Sequence, residues 1–580
     1  MSMTAQANAD PNADRGSGTA EAGRQRPLRG LKRTRLVLVG FLVVFSAVGI
    51  RLGQLTIGTP QAPDTVALKP DADIPRPEIV DRSGRLLATN IEVASLFADP
   101  RKIIDVDEAT ELLTSHLPGL DAGEVRRKLS QRKRAFVWLK REVSPAEQAM
   151  IHNLGIPGVG FRKETRRVYP MGRLAAHTLG FVDVDSRGLA GIEHFLDGRG
   201  RLFAASLTDP SRDEAAPVEL AMDVRVQHAL AEELSQAKEK FSAEAAAGLV
   251  LDIRTGEILA MASLPDFNPN DPVEALRKDR INRITGGVYE MGSTFKTVTL
   301  AMALDEGVTD LNGTYDASAP LVIGRQRIRD YHGKYRVLTV PEVFIYSSNI
   351  GTAKMAFDVG EERQKAFLEK LGFFDRFRAE LPEAAAPLLP PRWGKVTRAT
   401  VAFGHGISVQ PLQLAAAGAA FMNGGKLIPP TFLKRDREVA DGIAKQVISP
   451  ETSRKMRYLL RLNVEKGSAS HAKVEGYDVG GKTGTAEKVV DGRYAKDQRF
   501  TNFLGGFPMN DPRYCVLIIL DNPQPLPETY GYATAGWNAV PTGGKVIARI
   551  APLLGVEPKF DDGDDMLDTM ATRLEARVTE

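Results

Sequence analysis

Tyr289-Glu290-Met291-Gly292-Ser293-Thr294-Phe295-Lys296 is the stretch around which the rest of the chain is organised. Residues 297–304 follow it, are apolar on nearly every side and are closed by Gly307, so the pattern predicts a buried helix with Ser293 in its first turn. Lys296 falls on the same helix face as Ser293, and its amine can reach the serine hydroxyl. Unpaired N–H groups at a helix start favour negative charge, and burial favours a neutral amine that accepts the hydroxyl proton. The spacing therefore indicates an activated serine nucleophile.

Two further motifs follow in order along the chain: Tyr346-Ser347-Ser348-Asn349 and Gly480-Gly481-Lys482-Thr483-Gly484-Thr485. S-x-x-K alone carries little information, because a capping serine near a solvated lysine matches it by chance. S-x-x-K, an S-D-N type element and K-T-G together are the signature of class A β-lactamases and penicillin-binding proteins. All three are present here in that order, with Ser348 at the position of the Asp.

Length and composition describe a globular protein of several units. A chain of 580 residues suggests about three or four units. Its net charge of +3 gives no argument for a nucleic-acid partner. Cys515 is the only cysteine, which excludes an intrachain disulfide, and the apolar run around it predicts a buried thiol on a strand.

The N-terminal region predicts an arm followed by a membrane anchor. Residues 1–35 are polar, become basic towards their end, and are expected to form a disordered cytoplasmic arm. Residues 36–57 form an apolar run interrupted by Arg51, whose long side chain can reach the membrane interface. We favour an uncleaved, single-pass anchor in a bacterial inner membrane; cleavage after the apolar core is the alternative. The preceding positive charge places the N-terminus in the cytoplasm and the rest of the chain outside.

The remaining chain divides into an elongated α+β pedestal at residues 58–222, a second α+β unit at 223–556 and an acidic, solvated tail at 557–580. In the pedestal, Asp81 to Gly84 reads as a turn between strands, and residues 107–153 as helices with charged faces. The Arg and Glu residues between 166 and 193 are expected to join its parts by charge-assisted bonds. In the second unit, Thr255-Gly256 joins two apolar runs into a hairpin behind the serine helix.

On these motifs the sequence resembles the class B penicillin-binding proteins, most closely their division-specific FtsI type. The resemblance covers residues 36–555 and is strengthened by Gly188 to Glu193 and by Gly404-His405-Gly406, which reads as a tight turn near the cleft. It departs from the family at Met291, where Pro is common, and at Pro77, where Gly is common. The resemblance implies a multidomain α+β protein: a transmembrane helix, a pedestal of the penicillin-binding protein dimerisation type, and a β-lactamase-like transpeptidase domain with an antiparallel sheet flanked by helices.

The activity that the resemblance implies is a serine D,D-transpeptidase, without metal or cofactor, that cross-links the stem peptides of septal peptidoglycan. Ser293 would attack the carbonyl between the two terminal D-alanines, with Lys296 as general base. Ser347 would relay the proton to the leaving amine, and Asn349 would hold the Lys296 amine and the donor peptide amide. The terminal carboxylate would be bound by the K-T-G-T residues Lys482, Thr483, Gly484 and Thr485. The backbone N–H groups of Ser293 and Thr485 would form the oxyanion hole, and β-lactams would acylate the same serine.

The implied partners are a polytopic lipid II polymerase of the FtsW type and other divisome proteins at the division site. Two alternatives stay open: an elongation-specific class B transpeptidase, and a catalytically silent penicillin-binding scaffold. The anchor and pedestal argue against a β-lactamase or carboxypeptidase. A single predicted span argues against a β-lactam sensor, and a short pedestal argues against a glycosyltransferase.

Overall fold

The structure is a computed structural model that describes residues 76–197, 216–490 and 492–560, together with Val39, Phe41, Leu42, Phe45 and Ser46. The predicted arm at 1–35, nearly all of the predicted anchor at 36–57 and most of the acidic tail lie outside the described residues. Within these described ranges, no helix has the length and apolarity needed to cross a membrane. The described residues from 76 to 560 belong to one compact unit, and the predicted boundary between residues 222 and 223 stays a prediction.

The first part of this unit is built on a five-stranded sheet. Its strands are β1 Ile79–Val80, β2 Leu86–Ala98, β3 Val137–Val143, β4 Val159–Val168 and β5 Val218–Glu219. The strand order is β3-β2-β1-β5, and β4 also pairs with β2. The predicted turn at Asp81 is confirmed: its Oδ1 accepts hydrogen bonds from the amides of Ser83 at 2.8 Å and Arg85 at 2.9 Å, which reverses the chain between β1 and β2.

The pedestal helices are α1 Val106–His116, α2 Ala122–Leu129, α3 Pro145–Asn153, α4 Ala176–Leu179 and α5 Gly191–Asp197. The prediction of helices throughout residues 107–153 was wrong at β3. Val137 and Leu139 alternate there with less buried residues, which is the pattern of a strand with one face in the core. The charged residues 140–142 concealed this two-residue period. β3 is held by pairing with β2, a contact distant in sequence.

A buried charge network ties the pedestal together, as the sequence predicted. The carboxylate of Glu193 is completely buried. It accepts a hydrogen bond from Arg167 Nε at 2.7 Å and another from Arg76 Nε at 2.5 Å. The network therefore joins the segment before β1, which contains Arg76, to β4 and α5.

Replacing Glu193 by alanine is expected to lower the free energy of unfolding by about 3–5 kcal/mol, because the buried Arg167 guanidinium loses its charged partner. Urea unfolding of the purified protein measures this change. The matched control is Glu142→Ala, which removes the partially exposed pair with Arg166 at 3.4 Å and is expected to cost less than about 1 kcal/mol. Equal, small losses in both variants would contradict a structural role for the buried network.

The second part of the unit carries the candidate site. Its helices are α6 Val224–Lys240, α7 Lys296–Asp305, α8 Val340–Ile345, α9 Asn349–Val359, α10 Glu361–Lys370, α11 Lys395–Ala402, α12 Pro411–Met422, α13 Arg437–Ile443, α14 Pro450–Lys466 and α15 Ala539–Leu553. Its strands are β6 Ala245–Asp252, β7 Ile258–Leu264, β8 Thr314–Asp316, β9 Leu321–Ile323, β10 Gln326–Ile328, β11 Val337–Thr339, β12 Lys426–Leu427, β13 Lys445–Gln446, β14 Gly480–Val490, β15 Arg493–Phe507 and β16 Tyr514–Asp521.

Five of these strands form an antiparallel sheet in the order β14-β15-β16-β6-β7. The predicted hairpin across Thr255-Gly256 is confirmed as β6 and β7. All residues of β16 are buried, including Cys515, as predicted. Alternate residues of β16 face two cores: Leu517 and Ile519 belong to the one that contains α7 and α12, whereas Val516 and Ile518 belong to the one that contains α6 and α15. Helices thus cover both faces of the sheet, and β14 is left at its edge.

Candidate active site

Ser293 lies in a 3₁₀ turn, Gly292–Phe295, that leads directly into α7. Its neighbours in the turn are buried, whereas Ser293 itself is partly exposed. Every residue of α7 from 296 to 304 is buried, which confirms the predicted buried helix. The serine therefore presents an accessible side chain on a support that is fixed by the core.

The edge strand β14 lies directly against this turn. A Cβ on Gly292 would stand 2.5 Å from the carbonyl oxygen of Thr485 and 3.2 Å from its amide nitrogen. A Cβ on Gly484 would stand 2.5 Å from the carbonyl oxygen of Met291. Neither position has room for a side chain, so the backbones of Thr485 and of the serine turn are in direct contact. The amide of Ser293 lies in a first helical turn, where amides lack intrahelical acceptors. The amide of Thr485 lies on β14, the backbone segment that contacts this turn.

A third segment closes the opposite side of the turn. Gly404 has φ 81°, and a Cβ there would stand 2.2 Å from the carbonyl oxygen of Gly292. The amide of Gly292 donates to the carbonyl oxygen of Gly404 at 3.2 Å. The tight turn near the cleft predicted at Gly404-His405-Gly406 is confirmed.

The amines of two lysines converge on one hydroxyl. Lys296 Nζ donates to the carbonyl oxygen of Ser347 at 2.5 Å and lies 3.0 Å from Ser347 Oγ. Lys482 Nζ reaches the same Oγ at 3.1 Å. The three sequence motifs therefore meet here, and Ser347 Oγ bridges α7 and the edge strand β14.

Burial sets the protonation of both lysines. Lys296 and Lys482 are each 0% exposed. Burial, helped by the neighbouring charge of Lys482, holds the pKa of Lys296 well below its usual range, and the Asp330 carboxylate acts in the opposite direction. Burial lowers the pKa of Lys482 to about 7. A neutral Lys296 amine can accept a proton, while Lys482 is poised to carry a positive charge when an anion arrives.

Ser347 occupies the short connection between α8 and α9, as predicted. Its φ of 57° is in the left-handed region, where a residue with a side chain is strained by about 1–3 kcal/mol. The amide of Ser347 donates to Phe344 O at 3.2 Å, and the amide of Ser348 donates to Val343 O at 2.9 Å. These bonds hold the turn that aims both Ser347 oxygens at Lys296.

Asn349 makes a contact that the motif did not predict. Its side-chain nitrogen donates to the carbonyl oxygen of Arg329 at 3.0 Å. Asn349 is the first residue of α9, and that position turns its side chain towards the loop after β10. Ser347 contacts the Lys296 amine, and the contacts of Asn349 with that amine and with a peptide amide stay predictions.

Two contacts of the K-T-G-T strand could not be predicted from the motifs. Ser468 Oγ lies 2.9 Å from Thr483 Oγ1, and the amide of Ala535 donates to Thr485 Oγ1 at 3.1 Å. Lys482 Nζ also lies 3.2 Å from Thr483 Oγ1. The lysine and two threonine hydroxyls thus belong to one polar wall, which suits an incoming carboxylate. In the parts of the chain that the structure describes, no group of three or more His, Cys, Asp or Glu side chains could hold a metal ion.

The sequence matches the penicillin binding protein transpeptidase domain over residues 246–539, which contain the serine turn, Ser347 and the K-T-G-T strand. The chain belongs to this family. Residues 72–194 also match the penicillin-binding protein dimerisation domain. The resemblance on the three motifs is thereby confirmed, and the described α+β architecture with its antiparallel sheet agrees with it.

Three relatives in this family align with most of the chain. A protein of Caulobacter vibrioides named "Probable peptidoglycan D,D-transpeptidase FtsI" is 42% identical over 84% of this chain and 82% of its own length. "Probable peptidoglycan D,D-transpeptidase PenA" of Neisseria meningitidis is 34% identical over 92% of this chain and 95% of its own. "Peptidoglycan D,D-transpeptidase FtsI" of Escherichia coli K12 is 31% identical over 83% of this chain and 84% of its own.

Proposed function

We propose that the protein is the peptidoglycan D,D-transpeptidase of cell division and works through an acyl-enzyme on Ser293. Its enzyme class follows from its family and from the names of its relatives. The observation that carries the mechanism is the convergence of the buried Lys296 and Lys482 amines on Ser347 Oγ, at 3.0 and 3.1 Å, beside the serine turn.

In the acylation step, Ser293 Oγ attacks the carbonyl carbon between the terminal D-alanines, and its proton passes to the neutral Lys296 amine. The negative charge that forms on the carbonyl oxygen is stabilised by the backbone N–H groups of Ser293 and Thr485. Ser347 Oγ, which contacts Lys296 at 3.0 Å, relays the proton to the leaving D-alanine nitrogen. The C–N bond breaks, D-alanine leaves as a neutral amine, and an ester to Ser293 remains.

In the transfer step, an amine of a neighbouring stem peptide attacks the ester carbonyl carbon. The attacking amine gives one proton to the neutral Lys296 amine as its nitrogen bonds to the carbonyl carbon. The bond between that carbon and Ser293 Oγ then breaks, Lys296 passes the proton to the Ser293 oxygen, and the new peptide bond remains, so the enzyme ends in its starting protonation state. A β-lactam presents a strained ring amide next to a carboxylate, in place of the peptide amide and terminal carboxylate, and acylates Ser293 by the first step alone.

The polar wall of the K-T-G-T strand selects the substrate end. The terminal D-alanine carries a carboxylate, and Lys482 with a pKa of about 7 takes a proton readily when this anion binds. The hydroxyls of Thr483 and Thr485 provide hydrogen bonds to the same group, and the glycine at 484 lets the substrate backbone approach the strand. Recognition of a C-terminal carboxylate follows from this arrangement.

Residues 36–57 are the proposed membrane anchor, 58–222 the proposed pedestal and 223–556 the proposed extracytoplasmic transpeptidase domain. A lipid II polymerase of the FtsW type and other divisome proteins are the proposed partners at the septum. Two relatives named FtsI support the division role.

Depletion of the protein in its host is expected to give filaments without septa, since cross-linking fails only at the division site. Phase-contrast microscopy shows the cell shape, and the fluorescence of a labelled D-amino acid measures incorporation at the septum. Wild-type protein should restore division, and Ser293→Ala should not. Rounded cells with normal septa would instead assign the protein to lateral-wall elongation. Restoration by Ser293→Ala would indicate a silent scaffold.

A further inference from the structure

The Ser347-Ser348-Asn349 turn is fastened to a loop that the three sequence motifs do not include. Ser348 Oγ donates to Asp330 Oδ2 at 2.7 Å, and the amide of Ile350 donates to Asp330 Oδ1 at 3.0 Å. Next to these bonds, the Asn349 side chain holds the carbonyl oxygen of Arg329. Both oxygens of one carboxylate are therefore used to hold the turn.

Asp330 also completes the start of α9. Ser348 Oγ accepts a hydrogen bond from the amide of Gly351 at 2.9 Å while it donates to the carboxylate. Ser348 is thus the N-cap residue, and Asp330 fixes the direction of its hydroxyl. A negative group is favourable at a helix N-terminus, because the unpaired amides there carry partial positive charge.

The conformation that this arrangement maintains is the strained one at Ser347. With φ 57°, Ser347 turns its carbonyl oxygen and its hydroxyl towards Lys296, at 2.5 and 3.0 Å. Such a conformation persists only where neighbouring contacts impose it. The residue that follows, Ser348, is anchored by Asp330, so loosening the carboxylate would free the turn at its C-terminal side.

The charge of Asp330 acts on the same amine. Two charged groups act on the Lys296 amine, Lys482 on β14 and Asp330 on the loop after β10. The charge of Lys296 in turn helps to lower the pKa of His405, in the turn at Gly404-His405-Gly406, although burial is the main cause there. Lys482 favours a neutral Lys296 and Asp330 favours a charged one. Asp330 therefore supplies the negative counterpart to Lys482 around the proposed base.

We infer that Asp330 is a positioning residue of the transpeptidase: its carboxylate holds Ser347 in the conformation that serves Lys296 and brings a negative charge to the Ser347 turn. The inference rests on the proposed acyl-enzyme function. Ser348 is the residue through which Asp330 acts. The signature motif has Asp at this position, and in this chain Asp330 brings a carboxylate to the Ser348 hydroxyl.

The test measures the second-order rate constant for acylation by fluorescent penicillin between pH 5 and 9, on the full-length protein in detergent, for wild type, Asp330→Asn and Asp330→Ala. Asn keeps the shape: its oxygen can accept from Ile350 and its nitrogen can donate to Ser348 Oγ. The control is Asp358→Asn, which removes the same charge from an exposed site on α9. That site lies about 13 Å along the helix from Asn349, beyond a Debye length of about 8–10 Å.

Asp330→Ala is expected to slow acylation about 10- to 100-fold, because the bridge of Ser347 to Lys296 is misplaced. Asp330→Asn is expected to keep the plateau rate within about threefold and to move the acidic limb of the profile to lower pH. The direction follows from the sign of the charge: without the Asp330 carboxylate the pKa of Lys296 falls further, so the neutral base persists in more acidic solution. Asp358→Asn should leave both quantities unchanged.

A wild-type rate in Asp330→Ala would overturn the positioning role, and an unmoved acidic limb in Asp330→Asn would overturn the role of the charge. If Asp330→Ala does not fold, as judged by its melting temperature, Ser348→Ala replaces it, because that variant removes the hydroxyl bonded to the carboxylate and should slow acylation in the same way. Absence of labelling in the wild type would refute the proposed function itself, whereas labelling of wild type with unaltered variants would refute only the inference about Asp330.

Discussion

Fluorescent penicillin should label the wild-type protein and not Ser293→Ala, with the acylation rate constant reduced at least about 1,000-fold. The side chain at 293 is the acyl acceptor in the proposed mechanism, and alanine provides no atom that can form the ester. The turn itself should persist, because the neighbouring residues and α7 are buried independently of this hydroxyl. Gel fluorescence of the purified protein, with its circular dichroism, measures both properties.

The control for the Ser293 variant is Ser318→Ala, an exposed serine that bonds to Asp316 next to β8. It should be labelled at the wild-type rate. Mass spectrometry of the labelled wild type should locate the adduct on the peptide that contains Ser293. An adduct on Ser347, or labelling that survives Ser293→Ala, would mean that the nucleophile is a different residue.

Lys296→Met should lower the acylation rate constant by about 10²- to 10⁴-fold, since the general base is removed and the serine hydroxyl keeps its proton. Methionine has nearly the volume of lysine, so the fully buried site stays filled. Folding stability should not fall, and a gain of about 1–2 kcal/mol is expected because a buried amine is removed. The pKa of Lys296 is lowered by burial, so the wild type gains stability as the pH rises towards 10, and the advantage of the variant should shrink in that direction.

Stopped-flow acylation and urea unfolding measure these two effects. Lys296→Ala should lose acylation as well, but the cavity it leaves makes it the less stable variant. Lys482→Met is the informative comparison: it should weaken binding of the carboxylate-bearing ligand more than it lowers the limiting rate. Strong destabilisation by Lys296→Met would assign this lysine a structural role, and rapid acylation would assign the base to another group.

The sequence predicted the parts of the site that are local. Ser293 and Lys296 are three residues apart, within one helical turn, and the glycines of the K-T-G-T strand predict close backbone contact. The three motifs were therefore enough to indicate a serine enzyme. Burial of nearly every residue was also readable in the continuous apolar runs of β6, β7 and β16. These features depend on neighbours within a few positions of the chain.

What could not be predicted depends on long-range contacts. Asp330 precedes Ser348 by 18 residues and Ser468 precedes Thr483 by 15, and neither pair has a period or spacing that marks it. The bond from the Asn349 side chain to Arg329 could not be predicted either, because its partner lies on a loop 20 residues earlier in the chain. β3 was mistaken for helix because its pairing with β2 outweighs the helical composition of the charged residues around it.

The glycines around the serine turn limit how this protein can become resistant to antibiotics. At Gly292, Gly404 and Gly484 any side chain would collide with main-chain atoms at 2.5 Å or closer. A drug that contacts only these main-chain atoms binds a surface that single substitutions at the three glycines cannot change without also disrupting the serine turn. Selection under β-lactam pressure, followed by sequencing, should therefore recover changes in the exposed walls of the cleft and none at these three positions.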